Sequence, residues 1–396
     1  MATTPKRQIR LTREGWYFLF VPIFSLTGAI LREVNVLLLF SGMLVGAMLL
    51  CWRGLVVMLR GLEVRRKLPG ALCAGDTMAI DLTLSNPHRR ISGWALVVND
   101  SVHRAAPVSE DSPVFQPYVL FPKIAPVSEE TLSCRGRVPA RGMYRFGPLR
   151  ITSRFPLGLI QGTVTFEQYD TLVVLPRLGV LNRRWEELHR DAVLGSRSTQ
   201  RQPGLIEGDF YGLRDWRSGD ARRWIHWRTS ARRGTLVVRQ FEQPRSQDMA
   251  ILVDLWQPSD ADSQARENVE LTISLVATVI ADLCRRRNGR ILLGIAGAKP
   301  QAFQGPASSG FMQEIMEQLA LTQSGVDVPM EEMLAQAMQE FRVGMRVVVL
   351  STRGLDLREC REYDELLQEP VKRGAVDRAQ YIHSGSDQIF DFFSPE

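Results

Sequence analysis

Three side chains able to take part in acid–base or nucleophilic chemistry lie close together in the sequence: Asp220, His226 and Ser230. Histidine titrates near neutral pH and can act as a general base, and on a helix Ser230 would share a face with His226. The sequence gives this pair no recognisable oxyanion site or orienting carboxylate. We therefore interpret His226 as a buried, hydrogen-bonded residue. The alternative is a hydrolase or transferase whose site uses these three residues.

The segment that contains them, residues 212–242, is predicted to form a short helix and then a strand. Asp220 follows a glycine and is a good N-cap, so we expect a helix over 221–231. Gly234 can end that helix in a left-handed conformation, and the residues 235–241 predict a strand. The candidate residues would then lie on a helix that leads directly into a strand.

Arginine alternates with Trp216, Trp224 and Trp227 in the same segment. Such a pattern can stack nucleic-acid bases. It can equally stack guanidinium groups on indoles and pair them with carboxylates at a domain junction, or form a protein-binding surface. The formal charge is +6 and the isoelectric point about 9.2, but the basic residues are scattered along the chain. We therefore expect no nucleic-acid partner and favour the junction.

Motifs of well-known enzyme classes are absent from the sequence. It contains no GxxxxGK[ST], HExxH, GxSxG or GxGxxG run, so neither a P-loop nor these hydrolase and dinucleotide signatures are present. The five cysteines form no CxxC pair and no metal-ligand spacing, which predicts reduced structural thiols. We expect a protein that is not an enzyme and needs no cofactor.

Two charge-free apolar segments near the N-terminus, 15–31 and 34–52, are predicted to cross a lipid bilayer. At 1.5 Å per residue they reach about 25 to 28 Å, slightly less than a hydrocarbon core of about 30 Å. A cleaved signal peptide is the alternative for the first segment. No small-residue cleavage site follows it, and the second span begins at once. We therefore expect a membrane hairpin.

Basic residues flank the hairpin on its two outer ends, whereas only Arg32 and Glu33 lie between the spans. The flanking residues are Lys6, Arg7, Arg10, Arg13, Arg53, Arg60, Arg65, Arg66 and Lys67. Short loops rich in Lys and Arg stay in the cytoplasm, so both termini are predicted to be cytoplasmic.

The hydrophobic pattern of the water-soluble part changes once along the chain. From residue 62 to about 176, short alternating runs such as 78–84 are separated by Pro and Gly turns, which favours a β-sandwich. After about residue 248, apolar runs at 249–255, 291–296 and 347–350 alternate with helical patterns, of which 266–287 is the longest. This second block is predicted to be a doubly wound α/β domain with a parallel sheet.

The GD, IHW and SAR elements of the central segment resemble the signature of a bacterial family known as domain of unknown function fifty-eight. The earlier run from Arg141 to Ile160 is similar to the family's approach to that signature. The signature positions that match are Gly219, Asp220, Arg222, Ile225, Trp227, Ser230, Ala231 and Arg232. The resemblance brings no catalytic role for these residues, so we expect them to be structural or to contact a partner.

The resemblance implies a membrane hairpin, a β-rich domain, the signature and a von Willebrand factor A-like domain, in that order. It also implies a MoxR-type AAA+ ATPase as partner, a place in the bacterial inner membrane, and other von Willebrand factor A-domain membrane proteins as further partners. On this basis the chain is divided into 1–60 (N-terminal segment and hairpin), 61–180 (β-sandwich), 181–245 (linker and signature) and 246–396 (A-like domain).

Metal binding by the A-like domain is not expected. Domains of that type that bind a divalent cation place an Asp-x-Ser-x-Ser run after their first strand, because oxygen ligands suit a hard cation. Here Asp254 ends the strand, but Trp256 and Pro258 stand at the hydroxyl positions, and Arg353 stands where a second acid is usual. Asp254 would be a ligand only of a degenerate site, and we expect it to make structural hydrogen bonds.

Overall fold

The computed structural model describes residues 5–106, 113–188, 203–204, 210–217, 220, 222–242, 248–287, 289–342, 344–363, 365–367 and 369–395. These residues form two units, Met1–Pro176 and Arg177–Glu396. The first contains two apolar helices and a β-rich region. The second contains a mixed α/β sheet, so the multidomain order expected from the sequence is confirmed at this level.

The first unit contains two long helices, α1 over Arg13–Arg32 and α2 over Asn35–Met58. The hydroxyl oxygen of Thr12 caps α1 by accepting a hydrogen bond from the Gly15 N–H at 3.0 Å. Both helices are long and apolar enough to cross a membrane, and only 17% and 11% of their most apolar stretches are buried. A core helix of a water-soluble protein would be buried along one face, whereas these two expose apolar side chains over most of their length.

Both helices join the β-rich region at the same end. The segment before α1 forms strand β1, Lys6–Leu11, which pairs antiparallel with β11, Ile160–Phe166. At the other end of the hairpin, Leu55 and Leu59 are buried in the core of the β-rich region. Residues Lys6–Leu11 therefore pair with the β-rich region, whereas the expected division at residue 60 groups them with the hairpin.

Three sheets share the core of the first unit. Their orders are β1-β11-β10-β5-β7, β3-β12-β9-β6 and β2-β4-β8. The remaining strands are β2 Glu63–Lys67, β3 Leu72–Cys73, β4 Thr77–Asn86, β5 Gly93–Asn99, β6 Val102–Ala106, β7 Tyr118–Ile124, β8 Ser128–Arg137, β9 Gly142–Phe146, β10 Leu149–Ser153 and β12 Asp170–Leu175. The alternation that predicted a strand over 78–84 is seen in β4, where every second side chain is fully buried.

A buried ion pair links strand β2 to the residue that follows β5. The Arg66 Nε lies 2.8 Å from Asp100 Oδ2, and both side chains are completely buried. The Arg66 Nη1 also donates to Asp170 Oδ2 at 2.8 Å. Burial raises the pKa of the Asp100 carboxyl, and the Arg66 cation opposes that rise. One guanidinium therefore holds two carboxylates from different parts of the chain.

The second unit is built on a five-stranded sheet with the order β19-β18-β17-β20-β21. Its strands are β17 Met249–Asp254, β18 Arg290–Ala296, β19 Pro300–Pro306, β20 Arg346–Ser351 and β21 Gln380–His383. All neighbours are parallel except β18 and β19. The expected apolar strands are present, and the sheet is mixed because a hairpin adds the antiparallel edge strand β19.

The second unit contains helices before, between and after the strands of this sheet. They are α3 Trp227–Arg233, α4 Ser263–Arg286, α5 Ser309–Leu321, α6 Met330–Glu340, α7 Pro370–Asp377 and α8 Gln388–Phe392. Helix α4 follows β17 and leads to β18, while β20 lies on the other side of β17. The carboxyl ends of β17 and β20 therefore form the switch point of the sheet, the usual position of sites in such folds.

The C-terminal aromatic residues dock within the second unit. Strand β22, Phe393–Pro395, pairs antiparallel with β13, Gly179–Leu181. Phe392 and Phe393 are 3% and 0% exposed. The chain end therefore closes over the segment that enters the unit.

Candidate functional site

The signature segment forms a three-stranded sheet and a short helix. Strand β15, Phe210–Asp215, pairs with β16, Val237–Glu242, and β14, Pro203–Gly204, pairs with the far end of β16. Between the two long strands, the Trp216 N–H donates to the Leu236 carbonyl at 2.8 Å. The residues 216–236 thus form one excursion whose ends are fixed side by side.

An ion pair closes the first half of this excursion. The Arg214 Nη1 and Nη2 each lie 2.7 Å from one oxygen of Asp220, and the Arg217 N–H donates to Asp220 Oδ2 at 2.8 Å. The Asp220 side chain is only 7% exposed, and its hydrogen bond from Arg214 lowers the pKa of the carboxyl. Asp220 is therefore an anionic clamp on the loop.

The prediction that Asp220 caps a helix over 221–231 is wrong. A single 3-10 turn, Arg222–Trp224, follows Asp220, and Ile225 then forms a β-bridge with Val238. Helix α3 begins only at Trp227. The carboxylate of Asp220 is taken by Arg214 and Arg217, so it cannot accept from the first amides of a helix.

His226 performs the capping role that was expected of Asp220. Its Nδ1 lies 2.8 Å from Thr229 Oγ1 and 3.3 Å from the Thr229 N–H. The His226 N–H donates to the Val237 carbonyl at 2.8 Å, which fixes the residue against β16. Helix α3 ends at Gly234, whose positive φ of 72° supplies the expected left-handed C-cap.

Ser230 joins the helix to the strand through the backbone. Its Oγ accepts from the Val237 N–H at 2.9 Å, and its single proton is within reach of two carbonyl oxygens, that of His226 at 3.1 Å and that of Val237 at 3.3 Å. The side chain is 6% exposed. The Ser230 hydroxyl therefore satisfies a strand amide that would otherwise be buried without an acceptor.

The three candidate residues do not form a relay among the described residues. Asp220 binds Arg214, the His226 ring binds Thr229, and Ser230 binds main-chain atoms. A nucleophile needs a base within hydrogen-bond reach, and that base needs an orienting group. In the described residues each of the three side chains thus has its own local hydrogen-bond partner.

The outer side of the signature is aromatic and basic. Trp227 is 66% exposed and Trp216 is 38% exposed. The other exposed side chains of the segment include Arg222, Arg223, Arg228, Ala231, Arg232 and Arg233. Ile225 is buried, and Gly219 lies outside the described residues. The matched signature positions thus divide into a buried set that holds the fold and an exposed set that faces solvent.

The carboxyl end of β17 carries a second polar cluster. Asp254 is fully buried, and its Oδ2 accepts from Ser351 Oγ at 2.8 Å and from Arg353 Nε at 2.9 Å. Its contacts are those expected of a residue that makes structural hydrogen bonds at the end of a strand. A guanidinium already neutralises the carboxylate, so a divalent cation next to Asp254 would be repelled.

Two important partners, Arg214 and Thr229, were not singled out from the sequence. Arg214 is one of many arginines in the segment, and nothing in its spacing marks it as the partner of Asp220. Thr229 follows His226 by three residues, the spacing of a side-chain cap, but histidine is an uncommon N-cap. Only the strand pairing of β15 with β16 shows that both contacts hold one excursion.

Fold and site define a multidomain chain with two N-terminal apolar helices, a β-rich region and a mixed α/β unit that carries an arginine-rich signature. The sequence profile of the family described as "Protein of unknown function DUF58" matches residues 212–352. Residues 212–352 are assigned to this family by that match, and the resemblance recognised from the GD, IHW and SAR elements is confirmed for this segment. The run from Arg141 to Ile160 lies outside the matched residues.

A curated relative matches part of the chain. The chain is similar to the uncharacterised protein YeaD of Bacillus subtilis (strain 168), at 34% identity over 145 residues. The alignment covers 36% of this chain and 34% of the relative. The chain therefore spans about a third of the length of the curated relative it matches.

Solved structures resemble parts of the chain only weakly. A β-glucosidase from Listeria innocua matches at 17% identity, covering 28% of this chain and 15% of that one, with a TM-score of 0.19. The sporulation control protein Spo0M of Bacillus subtilis matches at 12% identity, covering 39% of this chain and 57% of that one, with a TM-score of 0.17. At these scores the similarity defines neither fold nor function.

Proposed function

We propose that this protein is a membrane-anchored scaffold that presents its α/β unit to a MoxR-type AAA+ ATPase in the cytoplasm of a bacterium. The observation that carries the proposal is that some signature residues stabilise the local fold while others are exposed to solvent. The side chains of Asp220, His226 and Ser230 form hydrogen bonds that hold the local fold. Trp227 and the neighbouring arginines, by contrast, are exposed. Exposed Trp and Arg are the residues most enriched at the energetic centres of protein interfaces.

The arrangement of the helices supports the anchoring role. Strand β1, which leads into α1, pairs with β11, and Leu55 and Leu59 near the end of α2 are buried in the core of the same region. The chain therefore enters α1 and leaves α2 on the same side of the hairpin. A two-span anchor requires this arrangement. The basic residues of the flanks assign that side to the cytoplasm under the positive-inside rule.

The α/β unit is proposed to be von Willebrand factor A-like, as the family resemblance implies. The central β17 with parallel neighbours on both sides supports this assignment. The Arg353 to Asp254 contact takes the position in which such a domain would hold a cation. Partner recognition by this unit would then depend on side chains such as Trp227, because no metal bridge is proposed.

The partner proposal is tested with the full chain in lipid nanodiscs. Binding of the cognate MoxR-type ATPase is measured by interferometry with ATP, with ADP and without nucleotide. We expect binding in at least one of these states, and we expect Trp227→Ala to weaken it about tenfold or more, as removal of a central interface tryptophan does.

A matched control is available in the same unit. Phe390 is an exposed aromatic residue, 47% accessible, outside the signature. Phe390→Ala should leave the affinity unchanged. Absence of ATPase binding in all three nucleotide states would sink the adaptor proposal, and equal losses with both variants would remove the signature as the contact surface.

A further inference from the structure

At one end of the five-stranded sheet in the first unit, the strand termini lie next to the ends of both long helices. Three strands have a terminus at this end of the sheet: β1 ends at Leu11, β11 begins at Ile160 and β10 ends at Ser153. The Thr12 Oγ1, at the start of α1, has its single proton within reach of the carbonyl oxygens of Gly158 and Leu159, at 2.8 and 3.0 Å. The turn between β10 and β11 is therefore bonded to the base of α1.

Strand β5, the neighbour of β10, contacts the last residue of α2 at the same end of the sheet. The Trp94 N–H, at the start of β5, lies 3.3 Å from the Met58 sulfur, and Met58 is the last residue of α2. The Ser153 Oγ donates to the Trp94 carbonyl at 3.1 Å, which joins β5 to the turn after β10. Two turns of the β-rich region thus lie at the level where the helices begin and end.

Apolar side chains are exposed on these two turns. We call the four residues Ile91, Trp94, Phe155 and Leu157 the helix-end patch; their exposed fractions are 38%, 39%, 39% and 60%. The rings of Trp94 and Phe155 stack with centroids 5.7 Å apart. Large exposed apolar groups that lie together mark a contact surface. Here the two helices that continue from the patch are themselves exposed and apolar.

Most of the charges around the helix-end patch are basic; Glu14, in the first turn of α1, is an acidic group that interacts with Arg154. Arg89, Arg90, Lys123 and Arg154 are exposed, and Lys123 Nζ lies 4.8 Å from the centre of the Trp94 ring. The segments 87–95, 121–127 and 153–158 contain no Asp or Glu. Aromatic rings interleaved with Lys and Arg are the pattern of a protein surface that sits among lipid headgroups and attracts anionic lipids.

We propose that the helix-end patch docks the β-rich region onto the bilayer, with Phe155 and Leu157 in the headgroup region and the four basic residues on anionic lipid phosphates. The inference rests on the proposed membrane anchoring. It adds that two turns of the β-rich region contact the lipid surface, so that the hairpin is not its sole attachment to the membrane. The orientation of the β-rich region would then be fixed relative to the membrane.

The test uses a fluorescent thiol probe at one position at a time in the full chain, with Cys73, Cys134 and Cys360 replaced by Ser. The protein is reconstituted into vesicles of phosphatidylcholine and phosphatidylglycerol that carry a spin-labelled quenching lipid. Leu157→Cys reports on the patch, Phe24→Cys on the middle of α1, and Tyr118→Cys on the opposite end of the sheet. Phe24 and Tyr118 are 73% and 70% exposed, so all three positions accept a probe.

Tyr118 is a matched control because it lies at the other end of the same strands. It pairs with Asn99 while Lys123 pairs with Trp94, so the two ends are about 17 Å apart at about 3.3 Å per residue. We expect strong quenching at 24, quenching at 157 by a label near the headgroups, and none at 118. Quenching at 24 without quenching at 157 overturns the patch and leaves the anchor standing.

Two other outcomes also count against the proposal. Quenching at 118 equal to that at 157 would show that the probe itself partitions into lipid. Absence of quenching at 24 would overturn the membrane anchor and the patch together. A second variant tests the role of charge: with Arg89→Gln and Arg90→Gln combined, the ratio of docked to undocked patch should fall about fivefold for each charge removed. Identical quenching in pure phosphatidylcholine would overturn the anionic-lipid part.

Discussion

The Arg353 guanidinium lies against the buried Asp254 carboxylate, with 2.9 Å between Nε and Oδ2. Arg353→Gln removes the only cation that is seen to contact Asp254 among the described residues. A buried carboxylate left without its partner is costly, and we expect the α/β unit to lose about 2 to 3 kcal/mol of unfolding free energy. Chemical denaturation of the full chain in detergent measures the change.

Arg358 is the control for this variant. It pairs with Asp356 at 2.5 Å in the same loop, but its side chain is 48% exposed. Arg358→Gln should leave the free energy of unfolding nearly unchanged, because exposed ion pairs contribute little to stability. Equal losses for the two arginines would mean that burial of Asp254 does not decide the energetics.

Arg66 should be the most sensitive single residue of the β-rich unit. Its guanidinium bridges Asp100 and Asp170, and the Arg66 and Asp100 side chains are both fully buried. Arg66→Lys keeps the charge but cannot reach both carboxylates in the planar fork geometry, so we expect a loss of at least about 2 kcal/mol. Arg66→Gln should cost about 3 to 5 kcal/mol because it leaves Asp100 unpaired.

Thermal unfolding followed by dye reaction at the protein's own cysteines measures both variants. Arg65→Gln is the neighbouring control, since the Arg65 side chain is 72% exposed, and it should leave the melting temperature unchanged. A melting temperature for Arg66→Lys equal to that of the wild type would contradict the bridging role.

The clamp on Asp220 should give the signature a defined pH dependence. Because Arg214 lowers the pKa of Asp220 in the folded protein, the ionised carboxylate stabilises the fold above its ordinary pKa of 3.8. That contribution should disappear as the pH falls through the lowered folded value. Wild type should exceed Asp220→Asn in stability at about pH 6, by on the order of 1 kcal/mol, and the gap should narrow at about pH 3.

Asp215 serves as the reference for this measurement. It is exposed at the end of the same strand, and Asp215→Asn should not change stability at either pH. The observation against the clamp would be a difference between wild type and Asp220→Asn that stays constant across the pH range.

Close packing at the base of α1 should make one glycine indispensable. A Cβ built at Gly15 would lie 2.0 Å from the Leu159 carbonyl oxygen, a backbone atom that cannot move aside without breaking the bond to Thr12. Gly15→Ala should therefore lower the melting temperature or the yield of folded protein sharply. Gly28→Ala is the control in the same helix, because nothing lies within 4 Å of its Cβ position.

Sequence patterns predicted those elements whose signal is local. The charge-free runs located α1 and α2, and alternation located β4, because burial acts on every second side chain of a strand. Strand β1 was missed since its basic residues also suit a membrane flank, and only pairing with β11 reveals it. The Asp220 cap failed for a similar reason: Arg214 competes for the carboxylate through a contact that strand pairing creates.

The two interpretations of the signature make opposite predictions for Ser230→Ala. The substitution leaves the buried Val237 N–H without its acceptor, so a structural role predicts a loss of about 1 to 3 kcal/mol. Thr235→Ala, at an exposed neighbouring position, should be neutral. In the structural case Ser230→Ala weakens cooperative melting and ATPase binding together. Loss of a cellular activity with melting unchanged would instead favour a site built from Asp220, His226 and Ser230, because a catalytic serine can be removed without disturbing the fold.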